Sequence, residues 1–232
     1  MRVFRIIIKI LAFIPFGLIM YPVRIIGKGN LPKGNYLVLS NHLHWLDILV
    51  LWYHLPRFKY FLAKKELAKK RFNRFVLWLF AAKFIDRHKP DLKGIREAVA
   101  ALKDAPMIVF PEGTRNRDDT SLQAVKGGSA MIAVKADVPI VPVIINKRSK
   151  MFRRSYIYIA PPATLPYTSK DRFDSAAMAE CTQIITDEMT YAREFMDIAA
   201  PSSQKRKERK ALKKEEKKVR KAERTGKTRS DM

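Results

Sequence analysis

Short apolar runs alternating with helical patterns constrain the fold of this chain most strongly. Runs with the length and composition of buried strands occupy residues 35–39, 107–110, 140–145 and 156–159. Helical patterns lie between them and beyond them, over residues 45–55, 71–82, 90–102 and 171–198. This alternation is typical of an α/β fold, so we predict a central, mostly parallel or mixed sheet flanked by helices.

The chain length of 232 residues suits one domain with appendages. An uncharged run from Ile10 to Val23 precedes the first strand, but its 14 residues are fewer than the roughly 20 that a helix needs to cross a bilayer. We therefore predict a membrane-associating helical segment over residues 1–26, lying in the interface or dipping into one leaflet. A helix buried in the core is the alternative. Residues 27–199 would form the main domain.

Positive charge is the main compositional anomaly, with a formal net charge of +24. Residues 200–232 contain 14 Lys and Arg against 5 Asp and Glu, and we predict that this basic tail is disordered or a solvated helix. The tail accounts for +9, so the rest of the chain still carries +15. Nucleic acid and an anionic membrane surface are the two usual partners of such a charge.

A histidine and an aspartate follow the strand over residues 35–39 directly, within residues 41–47. Open α/β folds usually bind ligands at such strand-to-helix junctions. The Asp47 carboxylate can reach one ring nitrogen of His42 and keep the other nitrogen as a proton acceptor, which a general base requires. Asp47 also has a purely structural explanation, because the helix dipole stabilises a carboxylate in the first turn of a helix.

A second polar segment, residues 110–115, comes after another apolar strand. Gly113 permits a backbone turn that other residues resist, and the planar guanidinium of Arg115 suits phosphate oxygens. Glu112 can hold that guanidinium or a substrate hydroxyl in place. Taken alone, this segment is also compatible with a strand-ending turn that carries a surface ion pair.

Together these segments resemble the motif blocks of the glycerolipid acyltransferase family, which includes the bacterial 1-acyl-glycerol-3-phosphate acyltransferases. His44 stands where the family commonly has serine, and residues 126–128 lie where its members usually carry FKxG. The resemblance covers roughly residues 20–160, and four ordered blocks are much more specific than one. The blocks are residues 41–47 (family pattern NHxSxxD), 84–87 (FIDR), 110–115 (FPEGTR) and 138–143 (VPIVPV).

The resemblance implies an acyltransferase that moves a fatty acyl group from acyl-CoA or acyl carrier protein to the free hydroxyl of 1-acyl-glycerol-3-phosphate. The product would be phosphatidic acid, in phospholipid synthesis. His42 would take the hydroxyl proton, and Asp47 would orient His42. No cofactor beyond the acyl donor is implied, and glycerol-3-phosphate or another lysophospholipid stays an alternative acceptor. The residues implied to bind the substrate are Arg87, Glu112, Gly113, Thr114 and Arg115.

Two hypotheses from other classes are weaker. His42, His44 and Asp47 are possible zinc ligands, but a dense Asp/His run is missing from the sequence, and packing against Trp45 explains His44 better. Nucleic-acid binding would explain the charge but not the apolar N-terminus, and no recognisable binding motif accompanies it. We therefore expect an anionic membrane surface, a lysophospholipid and an acyl donor as partners, with the protein peripheral or monotopic on the cytoplasmic face of the cell membrane.

Overall fold

A computed structural model describes residues 7, 21–57, 59–86, 91–116 and 122–200. Seven strands form a single sheet in the order β1-β7-β6-β2-β5-β3-β4. The strands are β1 (Val23–Ile26), β2 (Leu37–Ser40), β3 (Tyr60–Lys64), β4 (Ala82–Ile85), β5 (Met107–Val109), β6 (Ile140–Ile145) and β7 (Ser155–Ile159). The described helices are α1 (Asp47–His54), α2 (Arg71–Leu79), α3 (Leu92–Asp104), α4 (Gly128–Ala136) and α5 (Ser175–Ala199). Short 3-10 turns lie at Lys28–Asn30 and Lys65–Ala68.

The sheet is mixed, which confirms the predicted α/β architecture. Strands β2 to β6 are parallel to one another, whereas β7 runs antiparallel to β6 and parallel to β1. The central strands β2 and β6 are buried along their whole length, as expected for strands that are covered on both faces.

Two apolar cores cover the two faces of this sheet. Side chains of α3, α4 and α5 pack on one face, and side chains of α1 and α2 pack on the other. Two of these helices begin at capping aspartates: Asp91 accepts a hydrogen bond from the backbone of Gly94, and Asp174 accepts from the backbone of Ala176 and Ala177. Such caps satisfy amide groups that the first helical turn leaves unpaired.

All four predicted strands are present, with ends displaced by at most two residues, but β1, β3, β4 and α4 were missed. The predicted helix over residues 71–82 was too long, since α2 ends at Leu79. Ala81 adopts a left-handed conformation with φ of 55°, and the chain then enters β4, which pairs with β3 at the sheet edge. Apolar periodicity continues across this turn, so the pattern alone hides the break.

The predicted appendages lie largely outside the described residues. Residues 8–20 of the apolar segment and residues 201–232 of the basic tail belong to the part that is not described. Val23–Ile26, which we had included in the membrane-associating segment, form β1, so the sheet begins before the predicted boundary at residue 26. None of the helices in the described ranges combines the length and apolar character that crossing a bilayer requires.

Candidate functional site

The two polar segments meet because their strands are parallel neighbours. β2 pairs with β5 so that Leu39 lies opposite Val109, and both chains therefore leave the same edge of the sheet side by side. The backbone N–H of Asn116 donates a hydrogen bond of 2.6 Å to the carbonyl oxygen of His42 and ties the two segments together. Residues 41–47 and 110–116 thus form one site, as the sequence predicted.

Asp47 organises the turn after β2. It is fully buried at the start of α1, and its Oδ2 accepts hydrogen bonds of 2.6 Å from the backbone N–H groups of Leu43 and His44. The same oxygen lies 3.2 Å from Nδ1 of His42. This geometry favours the tautomer in which Nδ1 carries the proton, which leaves Nε2 as an acceptor. The predicted pairing of His42 with Asp47 is confirmed.

The His42 ring is also held by stacking. Its centroid lies 4.1 Å from that of Phe110, and the two rings are inclined by only 19°. The His42 side chain remains 14% exposed, so one edge of the ring is accessible while the rest is packed. Stacking on one side and the carboxylate on the other restrict the orientation of the imidazole, which a positioned general base requires.

Asn41 anchors the turn to the neighbouring strand β6. Its side-chain amide donates a hydrogen bond of 3.0 Å to the carbonyl oxygen of Ile145 and accepts one of 2.8 Å from the backbone N–H of the same residue. Asn41 is buried, so the two bonds satisfy an amide that would otherwise be costly to bury. Asn41 is the first residue of the motif block 41–47, and the structure assigns it this positioning role.

Gly113 is required by its backbone and by its surroundings. Its φ is +74°, in the left-handed region that favours glycine. A Cβ atom built at this position would lie 3.0 to 3.1 Å from side-chain atoms of Lys126, which packs over the turn. The backbone N–H of Lys126 also donates a 3.0 Å hydrogen bond to the carbonyl oxygen of Pro111. The predicted glycine turn is confirmed, and the segment resembling FKxG covers it.

Glu112 lies inside the protein, under the same site. Its side chain is only 2% exposed, and neither carboxylate oxygen makes a hydrogen bond of acceptable geometry within the described residues. Burial raises the pKa of Glu112 to about 7, although the nearby backbone N–H groups of Gln123 and His42 and the charge of Arg193 act in the opposite direction. Glu112 makes no ion pair with Arg115 within the described residues, so that part of the prediction was wrong, whereas a role in holding a substrate hydroxyl stays a prediction.

A cleft of about 510 Å³ opens beside His42. Three cationic side chains line it: Lys64, Arg115 and Arg148. Arg115 is exposed to solvent, and the neighbouring hydroxyl of Thr114 donates a 2.8 Å hydrogen bond to Gln123. The apolar side chains in the lining are Leu43, Ile48, Phe61, Leu62, Ala63, Leu67 and Phe110. Arg87, the other predicted phosphate ligand, lies outside the described residues.

Arg148 and Lys64 were not identified from the sequence. Arg148 follows β6, whose carboxyl end lies at the same sheet edge as those of β2 and β5 because the three strands are parallel. A search for cations directly after each parallel strand would therefore have found it. Lys64 ends β3, a strand that was itself missed, so its position had no sequence signal.

The histidine next to the site has a structural explanation. The His44 ring lies 5.7 Å from the ring of Trp45, which confirms the predicted packing, and its Nδ1 is 3.4 Å from the backbone nitrogen of Leu46. Within the part of the chain that the structure describes, no group of three His, Cys, Asp or Glu side chains is arranged to hold a metal ion.

Comparison with known proteins gives a consistent family. Residues 22–146, more than half of the chain, match the model of a family described as Acyltransferase. The 1-acyl-sn-glycerol-3-phosphate acyltransferase alpha of Ovis aries is 34% identical over 144 residues, covering 56% of this chain and 50% of the relative. The 1-acyl-sn-glycerol-3-phosphate acyltransferase of Saccharomyces cerevisiae is 29% identical over 197 residues, covering 77% and 64%. The chain thus spans about half the length of the mammalian relatives that it matches.

A solved structure has the same fold. The 1-acyl-sn-glycerophosphate (LPA) acyltransferase PlsC from Thermotoga maritima superposes with a TM-score of 0.58 at 26% sequence identity. The match covers 82% of this chain and 78% of that protein.

Proposed function

Since this chain belongs to the Acyltransferase family, whose model matches residues 22–146, we propose that it transfers a fatty acyl group to the free hydroxyl of 1-acyl-glycerol-3-phosphate. The observation that carries the proposal is the hydrogen-bonded pair of His42 and Asp47 beside a cleft that also contains Arg115 and Arg148. An activating base and an anion-binding surface are what the acylation of a phosphorylated alcohol requires.

In the proposed reaction, Nε2 of His42 takes the proton of the acceptor hydroxyl as its oxygen attacks the thioester carbonyl. The new C–O bond forms, the C–S bond breaks, and the departing thiolate takes the proton from the imidazolium. Asp47 keeps Nδ1 protonated and stabilises the imidazolium during this step. Such a base contributes on the order of 10²- to 10⁴-fold, so positioning of the two substrates supplies much of the remaining acceleration.

The acceptor phosphate is assigned to the cationic side of the cleft. A phosphate monoester carries about −1.5 to −2 charges near neutrality, so more than one guanidinium suits it. We assign Arg115 and Arg87 to this phosphate, and Gly113 and Thr114 to the turn that shapes its site. Glu112 makes no ion pair within the described residues, and we retain it as a group that holds the substrate hydroxyl in place.

The acyl chain is assigned to the apolar part of the same cleft, where Phe61 and Leu67 contribute to the lining. Acyl-CoA and acyl carrier protein both present an acyl thioester and both are acidic, so either fits a chain with a net charge of +24. We propose no further cofactor and no metal.

The membrane is the proposed site of action. A lysophospholipid acceptor resides in a bilayer, and the apolar N-terminal residues and the basic tail are both suited to an anionic surface. We propose peripheral or monotopic association with the cytoplasmic face of the cell membrane.

The proposal is tested by incubating the purified full chain with a labelled acyl thioester and a panel of acceptors, followed by identification of the product by mass. The panel contains 1-acyl-glycerol-3-phosphate, glycerol-3-phosphate and lysophospholipids with larger head groups, each with an acyl-CoA and an acyl carrier protein donor. We expect phosphatidic acid as the main product. Transfer only to an acceptor without a phosphate monoester would contradict the proposal.

A further inference from the structure

The helix α2 is apolar on two sides, although the sheet covers only one of them. Leu77 packs into the core on the sheet face that α1 and α2 cover. Phe75 and Trp78 point away from it, with 59% and 37% of their surfaces exposed and their ring centroids 6.1 Å apart. Residues three positions apart lie on the same face of a helix, so the two rings form one exposed apolar surface.

The turn before this helix reaches the mouth of the cleft beside His42. The 3-10 turn Lys65–Ala68 directly precedes α2 in the chain and packs against it. Leu67 of that turn is 46% exposed and also lines the cleft beside His42. Leu67 therefore places exposed apolar surface both beside α2 and at the mouth of the cleft where we propose that the acceptor binds. We call Leu67, Phe75 and Trp78, with the charged residues of the range 64–78, the α2 face.

Charge distinguishes the α2 face from the other exposed apolar helix surface. Residues 64–78 contain six Lys and Arg and a single acidic residue, Glu66, which pairs with Lys64 at 3.5 Å. Helix α5 also exposes large apolar side chains, among them Tyr191 at 61%, but it contains five acidic residues and only one basic residue. The two helices lie on opposite faces of the sheet.

Aromatic side chains next to Lys and Arg are the combination that seats a helix in the interface of an anionic bilayer. The rings enter the boundary between head groups and acyl chains, and the cations remain at the head-group level. We propose that the α2 face docks on anionic lipid and delivers the lipid acceptor directly into the cleft. This inference rests on the proposed function, since it identifies the route by which a bilayer-resident acceptor reaches His42.

The first experiment places an environment-sensitive fluorophore on the α2 face through Phe75→Cys in the full chain. The native Cys181 is fully buried, which protects it from labelling. The matched control carries the same fluorophore through Tyr191→Cys, at a similarly exposed position on the opposite face. With vesicles of phosphatidylcholine and phosphatidylglycerol, the label at position 75 should shift to the blue and brighten several-fold, while the label at position 191 should not change.

Several results would overturn the proposal. One is an unchanged label at position 75 while the protein floats with the vesicles, because the membrane would then be reached by another part of the chain. Another is a response without lipid on addition of an acyl carrier protein, which would identify a protein-docking surface. A response that grows with protein concentration alone would identify a contact between two copies of the chain.

The second experiment separates docking from chemistry. In the variant Phe75→Ser/Trp78→Ser, turnover of acceptor embedded in anionic vesicles should fall by about tenfold or more, because two interfacial aromatic anchors are lost. Turnover of a short-chain, water-soluble acceptor should stay within twofold, and Tyr191→Ser should leave both rates unchanged. Equal losses on both acceptors, or no loss on either, would overturn the docking role. Absence of turnover on both acceptors in the unmodified chain would instead contradict the proposed function.

Discussion

The turn after β2 and the loop after β5 meet at one sheet edge, yet they hold their carboxylates differently. In the turn, two backbone N–H groups at 2.6 Å and His42 at 3.2 Å share Oδ2 of Asp47, whereas Oδ1 has no hydrogen-bond partner within the described residues. Glu112 in the loop is almost equally buried but accepts no well-formed hydrogen bond, and its pKa rises to about 7. The two carboxylates therefore differ in the backbone donors that they bind and not in how deeply they are buried.

The turn and the loop are suited to different parts of the proposed reaction. Asp47 bonds to the backbone of the turn and to Nδ1 of His42 and so holds the His42 ring, and changes there should act on the chemical step. In the loop, the turn at Gly113 directs Arg115 into the cleft, so changes there should act on acceptor binding. Variants in the two segments test whether the turn acts on the rate of the chemical step and the loop on acceptor binding.

Loss of the imidazole should have the largest effect. His42→Ala removes the proposed base, and we expect kcat for acyl transfer to fall on the order of 10²- to 10⁴-fold. The matched control is His54→Asn, at a histidine outside the cleft lining that lies 3.3 Å from the carbonyl oxygen of Tyr21. It should retain turnover. A His42 variant that is folded by circular dichroism and keeps its kcat would contradict the mechanism.

The next largest effect is expected from Asp47→Asn. An amide in place of the carboxylate no longer stabilises the imidazolium, and its NH₂ group can face the donors that now bind Oδ2. We expect kcat to fall roughly 10²-fold, less than for His42→Ala, with a smaller change in the Michaelis constant for the acceptor. Steady-state kinetics with varied acceptor measures both. A rise in the Michaelis constant alone would show that the turn serves binding.

Ionisation of Glu112 should make the free energy of unfolding depend on pH. Its pKa is about 7 in the folded protein against an ordinary value of 4.5, so between these values the folded state holds a proton that the unfolded chain has released. The free energy of unfolding should therefore fall as pH rises through this window, by about 3 kcal/mol in total.

Denaturant titrations of the unmodified chain and of Glu112→Gln across this pH range test the expectation. The glutamine variant cannot ionise, so the stability of the unmodified chain relative to the variant should decrease from about pH 4.5 to about pH 7 and then level off. A stability difference that is independent of pH, or one that increases with pH, would contradict the assigned pKa.

Arg115→Ala should have the smallest effect of the four. Removal of one of several cations should raise the Michaelis constant for the phosphorylated acceptor by about tenfold, with kcat nearly unchanged. Arg115→Lys is the matched control, because it keeps the charge and loses the planar fork. Its Michaelis constant should lie between those of the unmodified chain and Arg115→Ala. A loss in kcat without a change in the Michaelis constant would contradict the assignment of the loop to acceptor binding.

Much of this site could be predicted from the sequence because its parts are local. His42 and Asp47 are five residues apart, and a tight turn followed by a helix start brings them together wherever the turn lies. The residue type of Gly113 similarly predicts a left-handed turn, and the structure confirms it. The order of the motif blocks added that both segments belong to one family of sites.

What was missed depends on contacts between distant parts of the chain. Asn41 bonds to Ile145, 104 residues away, and Phe110 stacks on His42, and neither contact leaves a periodic pattern in the sequence. The strands β3 and β4 are only five and four residues long. β4 follows the apolar end of α2 almost directly, and β3 is a short run between Lys59 and Lys65, so neither was recognised as a strand.

The amino-acid sequence was enough to predict the α/β class, the two polar segments and the side chains that we propose to react. These follow from residue type and from spacing along the chain, which local backbone geometry converts directly into position. Only the folded structure shows that β2 lies between β5 and β6 and that Arg148 lines the cleft. It also shows that Glu112 is buried without hydrogen bonds within the described residues. Burial and strand neighbours arise from the packing of the whole chain, so no single segment encodes them.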